Sequence, residues 1–483
     1  MSNAVQPEAA KPDPPDSTDE PSGSSDEPMS WWLRPCGGRE VVLIAFPLVV
    51  STISWTLMSF IDRIFLTWYS TDAMAAAIPA GAVSFSAICL PMGIASYVGT
   101  FVAQYNGSKQ FEKMGPIVWQ GVWLGVAAIP IFAGLYFLAP QFFASVGHSP
   151  QVANYETMYF RTLQFGAASV VISSALSGFF SGREETGVIM KVDAATSLLN
   201  IVLDYLWIFG YCGFPEMGIV GAGLATALSS WIRAIIYLIL MFRRDRDGTF
   251  GVRSGCRFDW SLMKRLIRFG GPNGLQLFVE MTAFSSYLLL VGKLGETELA
   301  ATTLAFNVNQ IAFVPLLGLG FAVSILVGNQ IGRGRPDLAS RATYTTLVLA
   351  VSYSVVMALL YWLVPGWFLV AHEMGADAAE FESVRSMTVL LLRFVAIYCI
   401  VDAGLIVFVS AIKGAGDTKF VLFAALCLSP IPVILGWIGI RYWNWDINRF
   451  WILITLWIVA QGLVYAARFW QGKWRSMKVI ELA

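Results

Sequence analysis

Long apolar stretches recur along this chain from Trp31 onward, and they limit its fold more than any other feature. Each is about 20 to 30 residues long, enough to cross a hydrocarbon layer of about 30 Å as a helix. Lipid offers the backbone no hydrogen-bonding partner, so the spans must be helices, and the alternating segments of a membrane β-barrel do not occur. The predicted spans lie at 41–68, 74–104, 115–146, 154–179, 186–211, 217–242, 265–292, 298–328, 338–370, 384–411, 417–440 and 449–471.

The composition agrees with a membrane protein and excludes several other classes. Hydrophobic residues make up 56% of the chain and charged residues only 13%, against about 25% charged in an average soluble protein. The net charge is +0 and no domain is basic, which excludes a nucleic-acid partner. Six scattered cysteines and two histidines provide no ligand set for zinc, haem or a disulfide framework, so we expect no cofactor.

The amino-terminal residues 1–30 are rich in proline, serine and acidic side chains and contain no apolar run. This composition predicts a disordered acidic tail and not a cleavable signal. Lysine and arginine concentrate near the termini and in alternate loops, which predicts that both termini are cytoplasmic. The basic cluster from Arg243 to Arg268 fits a solvated loop, with binding of anionic lipid headgroups as the alternative. We expect a monomeric, multi-pass protein surrounded by the lipid bilayer of the inner (plasma) membrane.

The two halves of the chain match at a fixed offset of 225 residues, which indicates an internal repeat. An offset of 232 applies near the end of each half, and each half contains six spans. Six is an even number, so both halves keep one orientation, as in transporters with parallel repeats. We predict an all-α membrane protein of twelve transmembrane helices in two six-helix lobes: N-lobe 31–242, linker loop 243–263, C-lobe 264–475 and C-terminal tail 476–483. The matching pairs include Pro47 and Pro272, Gly93 and Gly318, Gly107 and Gly332, and Thr186 and Thr418.

Acidic residues lie inside the predicted spans, where an ionised group costs about 2.5 to 3.5 kcal/mol on insertion scales. Each therefore needs a cation, a proton or a water-filled cavity. These acids are Asp62, Asp204, Glu280 and Asp402, with Asp193 nearer the end of a span. Structural salt bridges are the alternative explanation, and the arginines inside the spans that could form them are Arg63, Arg161, Arg233 and Arg393.

In the N-lobe, the acids come with oxygen-bearing neighbours at helical spacing. Asn200 and Asp204 are four residues apart and share a face of span 5, where their oxygens suit a small hard cation. Asp62 on span 1 and Thr226 on span 6 can join them from neighbouring helices. The pattern predicts a Na+ or H+ site, with Na+ at Asp62, Asn200 and Asp204. A hydrogen-bond cluster that only joins helices is the alternative.

In the C-lobe, Glu280 lies on span 7, and Tyr398 and Asp402 share a face of span 10. A carboxyl group in an apolar cavity can exchange a proton near neutral pH. The rings of Tyr398 and Phe313 can hold a lipophilic cation, with ordinary packing as the alternative. Pro47 predicts a bend in span 1, either static or changing when Asp62 changes charge.

These residues resemble the multidrug and toxic compound extrusion (MATE) transporters, especially the bacterial NorM-type branch. The resemblance covers about residues 38–475. The motifs that carry it are Phe60-Ile-Asp62, Leu199-Asn-Ile-Val-Leu-Asp204, Gly218 to Thr226, Val279-Glu280-Met-Thr282, Tyr398-Cys-Ile-Val-Asp402 and Lys413-Gly-Ala-Gly-Asp-Thr418.

The resemblance implies a V-shaped antiporter that exports amphipathic, often cationic drugs while Na+ or H+ runs inward. By the same resemblance, Phe313 occupies a position at which some members of the family carry tyrosine. Carried over residue by residue, it implies an N-lobe cation site of Asp62, Asn200, Asp204 and Thr226, and a C-lobe site of Glu280, Tyr398 and Asp402.

A cation-coupled exporter of drug-like organic cations, working by alternating access, is therefore the leading hypothesis. The alternative is a flippase for lipid-linked precursors with a related fold. Its cavity should contain more basic side chains than that of a drug exporter, because they would face an anionic headgroup. The chain lacks a Gly-x-x-x-x-Gly-Lys-Ser/Thr loop, which disfavours an ATP-driven pump. A membrane-embedded enzyme is also disfavoured, because no nucleophile–base pair or metal-ligand set falls within the spans.

Overall fold

The computed structural model describes residues 30–373 and 378–481, without the side chains of 371–381. The predicted tail 1–30 therefore lies outside the described residues except for Ser30, as do the His372 side chain and the last two residues. The helices are α1 (Gly38–Tyr69), α2 (Thr71–Ser96), α3 (Val98–Gly107), α4 (Met114–Val146), α5 (Pro150–Gly182), α6 (Thr186–Phe209), α7 (Ile219–Arg244), α8 (Trp260–Gly292), α9 (Glu296–Gly332), α10 (Pro336–Leu363), α11 (Pro365–Glu373), α12 (Ala378–Ala415), α13 (Thr418–Leu428), α14 (Pro430–Trp443) and α15 (Ile447–Trp470).

Twelve segments in the described part of the chain are long and apolar enough to cross a membrane, which confirms the predicted number. Helices α2 and α3 together form the second span, and α13 and α14 form the eleventh. The ninth predicted span, 338–370, is too long, because its helix ends at Leu363 and the short α11 begins at Pro365. A proline disfavours helical geometry in the residue before it, and Val364 accordingly leaves the helix.

The helices pack into two lobes, α1–α7 and α8–α15. In the N-lobe, α5 packs on α2, α4 and α7, while α1 packs on α6; in the C-lobe, α12 packs on α9, α10 and α15. We call the side on which α1 begins and α15 ends the basic face, because the arginine-rich loops 245–259 and 333–335 lie there. The other side, with loops 147–149, 210–218 and 293–295, is the opposite face.

The contacts between the lobes follow the sequence repeat. Gly93 of α2 lies so close to α8 that an added Cβ would be 2.5 Å from the Cα of Gly274. Gly318 of α9 meets α1 in the same way, with Val49 Cα at 2.9 Å from an added Cβ. The two crossings are equivalent, since both 318 − 93 and 274 − 49 equal 225. Small residues at these points let the helix backbones approach.

A second pair of equivalent crossings lies nearer the basic face. Gly107 packs on the backbone of Asn329, and Gly332 packs on the backbone of Gln104, again at the offset of 225. Between these crossings, Gly328 of α9 faces the Cβ of Ala103, its own repeat equivalent. An axis that relates the two lobes therefore passes near Ala103 and Gly328. The exact lobe boundaries remain a prediction.

Hydrogen bonds join the lobes close to the basic face. Tyr97 donates its hydroxyl to the Lys413 carbonyl at 2.7 Å, and Asn273 donates to the Gly93 carbonyl at 2.7 Å. Gly93 lies 14 residues from the end of its span, roughly 21 Å at 1.5 Å per residue. Among the described residues, every hydrogen bond between the lobes lies within this half. In the described part of the chain, hydrogen bonds therefore join the lobes at the basic face and not nearer the opposite face.

Candidate functional site

The N-lobe acids lie on the side of the crossings that is nearer the opposite face. Asp62 is on α1, seven residues before its end, and its side chain is buried. The Tyr159 hydroxyl on α5 donates to Asp62 Oδ2 at 3.3 Å. The other carboxylate oxygen, Oδ1, is buried without a hydrogen-bond partner among the described residues.

Asp204 lies on α6, completely buried, next to Asn200 one turn earlier. In the amide orientation that satisfies both neighbours, Asn200 donates to Asp204 Oδ2 at 2.9 Å and accepts from the Thr226 backbone N–H at 3.2 Å. Asp204 Oδ1 is buried without a partner in the described part of the chain. The Asp62 charge acts on Asp204 and both act on Tyr159, so the carboxylates share one polar pocket.

The structure thus brings together all four predicted N-lobe residues. Two carboxylates and an amide offer hard oxygen ligands of the kind that a small cation prefers. A buried carboxylate oxygen without a partner costs about 1 to 3 kcal/mol. A cation held by both oxygens would reduce this cost at both acids, and a proton would reduce it at the acid that binds it.

Arginine does not neutralise the acids. Within the described residues, no lysine or arginine nitrogen lies within 4 Å of Asp62, Asp204, Glu280 or Asp402. Arg63 is exposed. Arg161 instead donates to the Tyr136 carbonyl at 3.1 Å, and Arg393 lies 5.7 Å from the Trp362 ring. The salt-bridge alternative therefore has no support from the geometry.

In the C-lobe, Glu280 lies near Lys413, a base outside the predicted spans. Gln276, one turn earlier on α8, donates to Glu280 Oε1 at 2.8 Å. Lys413, near the end of α12, acts electrostatically on Glu280. Tyr465 of α15 belongs to the same surroundings, and its hydroxyl is buried without a partner among the described residues.

Asp402 forms a separate group with Tyr398, one turn earlier on α12. The Tyr398 side chain is buried, and the Asp402 charge acts on it. Phe313 of α9 packs against the apolar cluster around Ala403 and Val407, so its ring has a packing role here. Among the described residues, no hydrogen bond links Asp402 to Glu280, and the predicted C-lobe residues thus form two groups.

Two further predictions concern α1 and α6. Helix α1 runs without interruption through Pro47, and the bend predicted there stays a prediction. Asp193, nearer the end of α6, has no free carboxylate oxygen. Tyr237 donates to its Oδ1 at 2.7 Å, and Ser51 of α1 donates to its Oδ2. Asp193 therefore joins three helices on the basic side of the N-lobe pocket.

Sequence reasoning missed Tyr159 and Lys413. Tyr159 is one of 16 tyrosines in the chain, and no spacing rule connects it to Asp62, 97 residues earlier. Lys413 lies two residues beyond the end of the predicted span 384–411, so the sequence analysis did not include it in the membrane site. A signal existed for Lys413, because its helix pattern continues for two residues beyond the lysine.

Comparison with known proteins agrees with this architecture. A family model described as MatE matches residues 47–206 and again 272–438. The two matches begin 225 residues apart and together cover more than half of the chain. The chain belongs to the MatE family. Its members are transporters, so this MatE protein is a multi-pass membrane transporter and not an enzyme.

Individual relatives are similar over most of their length. A probable multidrug resistance protein NorM from Xanthomonas campestris is 26% identical over 90% of this chain and 94% of its own. A protein of the same description from Mesorhizobium japonicum is 29% identical over 84% of this chain and 85% of its own. The NorM-type resemblance read from the sequence is therefore confirmed.

A solved structure shows the same fold. A transporter of the MOP superfamily from Pyrococcus furiosus superimposes on this MatE chain with a TM-score of 0.82 and 19% identity, covering 91% of this chain and 97% of its own. The predicted fold class, twelve helices in two lobes, is confirmed.

Proposed function

We propose that the protein is a secondary active exporter that moves amphipathic, cationic organic compounds outward in exchange for Na+ or H+. The observation that carries this proposal is the pair of partnerless carboxylate oxygens on Asp62 and Asp204. Buried carboxylates with a purely structural role are usually fully hydrogen-bonded, whereas a coupling cation that binds and leaves needs oxygens that are free to receive it. The description of the NorM relatives as probable multidrug resistance proteins supports multidrug export.

The basic face is cytoplasmic in this proposal, which places the protein in the inner (plasma) membrane with both termini inside. The bias of lysine and arginine toward that face supports the orientation. The lobes are joined at the basic face, so the structure corresponds to a state closed to the cytoplasm. The N-lobe pocket lies beyond the crossings, on the side where a cation arrives from outside.

Cation binding drives the transport cycle only if the two conformations bind the cation unequally. The N-lobe supplies a reason, because Asp62 and Asp204 repel each other in one buried pocket when both are ionised. A bound Na+ or H+ removes that repulsion and favours a tighter pocket. Release of the cation into the cytoplasm restores the repulsion between the two acids and returns the N-lobe to its cation-free conformation.

In this proposal, the two C-lobe acids attract the organic cation, separately from the coupling cation in the N-lobe. Glu280 and Asp402 are both half-buried, and each has an aromatic or amide neighbour that suits an amphipathic cation. A cation–π contact to an exposed or desolvated ring contributes about 0.5 to 2 kcal/mol. Tyr398, one turn before Asp402 on α12, is the aromatic residue whose contact we propose.

The test is ethidium efflux from vesicles under an imposed Na+ or pH gradient. We expect Asp62→Asn, Glu280→Gln and Asp402→Asn each to lower gradient-driven efflux at least tenfold. Asp247→Asn, which changes an exposed acid in a loop, should export at the parental rate. Parental efflux by all three acid variants would contradict the proposal. Movement of lipid-linked sugars without dye efflux would support the flippase instead.

A further inference from the structure

The carboxyl-terminal segment 473–481 follows the last helix of the C-lobe but ends against the N-lobe. Trp474 holds its beginning to the C-lobe, where the indole stacks on Phe469 with ring centroids 4.9 Å apart. The Trp474 indole N–H also donates to the Phe469 carbonyl at 2.8 Å. Five residues later, Val479 and Ile480 are buried in the cluster that includes Phe101 and Tyr105 of α3.

Backbone hydrogen bonds fix this segment at the junction of the lobes. The Val479 N–H donates to Gln104 Oε1 at 2.8 Å, and the Val479 carbonyl accepts from Arg265 Nε at 2.6 Å. Gln104 belongs to the N-lobe and Arg265 to the C-lobe. Glu481 adds an ion pair with Arg265, and its carbonyl accepts from Gln110 at 3.4 Å.

Gln104 itself connects three parts of the molecule. Its amide nitrogen donates to the carbonyls of Gly414 and Ala415 in the C-lobe, both at 3.2 Å, while its oxygen holds the tail. Val479 also fills the space over Gly416, where an added Cβ would lie 2.9 Å from Val479 Cγ1. The tail is therefore packed into the crossing of α3 with α12.

The segment that follows α7 is different, because it remains on its own lobe. The Val252 carbonyl accepts from the Trp119 indole at 2.8 Å, and the Phe250 carbonyl accepts from the Gly115 N–H at 2.8 Å. Both partners lie on α4 of the N-lobe. The carboxyl-terminal segment thus adds contacts between the lobes to those of the repeat-related helix crossings.

We propose that residues 479–481 form a latch that holds the two lobes together at the basic face and must leave Gln104 before that face can open. The proposal rests on alternating access as the proposed mode of transport. Opening separates α3 from α12, and the tail cannot then keep its contacts with both. Gln104, Arg265 and Val479 therefore set the balance between the closed and open states.

The experiment measures the distance between the lobes at the basic face by electron spin resonance on the full chain in nanodiscs, without substrate or gradient. Spin labels replace the exposed Lys109 and Arg335, one in each lobe, as Lys109→Cys and Arg335→Cys. The exposed Cys212, Cys256 and Cys427 are first changed to alanine. Cys36 is left in place, since burial and the Glu40 carboxylate raise the pKa of its thiol to about 12 and make it a poor target for the label.

We expect Val479→Asp to raise the ratio of long to short distances roughly fivefold or more, because one lost buried hydrogen bond alone is equivalent to about a fivefold change in an equilibrium constant. Arg265→Gln, which keeps the tail sequence intact, should raise the same ratio. Ser476→Asp adds the same negative charge at an exposed position of the segment. It should leave the ratio of long to short distances at the parental value.

Two results would overturn the latch. One is an unchanged distance distribution in both Val479→Asp and Arg265→Gln. The other is an equal rise in Ser476→Asp and Val479→Asp, which would mean that the added charge disturbs the tail wherever it is placed. Since no transport is measured, failure of the latch and failure of the export proposal are distinguishable.

Discussion

Gly93 and Gly274 lie where α2 approaches α8 closely, at the level where the two lobes begin to separate. A methyl group on Gly93 would lie 2.5 Å from the Gly274 Cα, closer than packed carbon atoms come. The neighbouring atom is backbone, so it has no rotamer by which to move away. The helices themselves must shift.

We therefore expect Gly93→Ala to destabilise the state that is closed at the basic face. In the spin-label experiment, the open population should increase, and gradient-driven efflux should fall. Gly81→Ala is the matched control on the same helix, because an added Cβ there meets no atom within 4 Å. That change should be neutral or stabilising by up to about 1 kcal/mol. A closed population in Gly93→Ala equal to that of Gly81→Ala would contradict the role of the crossing.

Asn200 orders the N-lobe pocket by its amide, which holds both Asp204 and the α7 backbone. Asn200→Ala removes a hydrogen bond to a charged group, worth about 1.5 to 3 kcal/mol. The concentration of coupling cation that gives half-maximal ethidium efflux should therefore rise roughly tenfold or more. Asn448→Ala, at the opposite face, controls for loss of an amide. A parental half-maximal concentration for Asn200→Ala would remove Asn200 from the proposed cation site.

Asp193 has a structural role in this protein, although it is an acid inside a span. Tyr237→Phe removes the donor to Asp193 Oδ1, and we expect the free energy of unfolding to fall by about 1 to 3 kcal/mol. Thermal unfolding in detergent measures this loss, with Tyr344→Phe, at an exposed tyrosine, as the control. Cation-coupled efflux should persist. Loss of coupling with unchanged stability would instead place Asp193 in the cation pathway.

Asp417, which is buried, and Arg468, which is partly buried, form an ion pair at the basic face, with the carboxylate 2.7 Å from the guanidinium. Asp417→Asn leaves a buried charge without its partner, and we expect a loss of about 3 to 5 kcal/mol in stability. The double change Asp417→Leu with Arg468→Met should recover most of it. Arg335→Gln breaks an exposed pair and should cost less than about 1 kcal/mol. Equal losses for the buried and exposed pairs would show that burial does not matter here.

The sequence predicted the helices well because hydropathy reports directly on contact with lipid. It also predicted that Asn200 and Asp204 share a face, since their spacing is local. It could not predict the donor from Tyr159 to Asp62 or the placement of Val479 on Gln104. Those contacts join residues far apart in the chain, and they depend on how the helices cross. Pro430 and Pro365 each indicate a helix boundary, at the end of α13 and of α10. The sequence is apolar on both sides of each proline, so hydropathy alone does not show these boundaries.

The position of the crossings has a mechanical consequence. Helix α9 has 37 residues and is about 55 Å long. Its crossing at Gly318 lies roughly 21 Å from one end and 34 Å from the other. Each lobe is thus a lever whose longer arm points to the opposite face. A small rotation about the glycine crossings moves the outer mouth further than the inner joint, so a wide entrance for bulky cargo requires only slight rearrangement where the lobes touch.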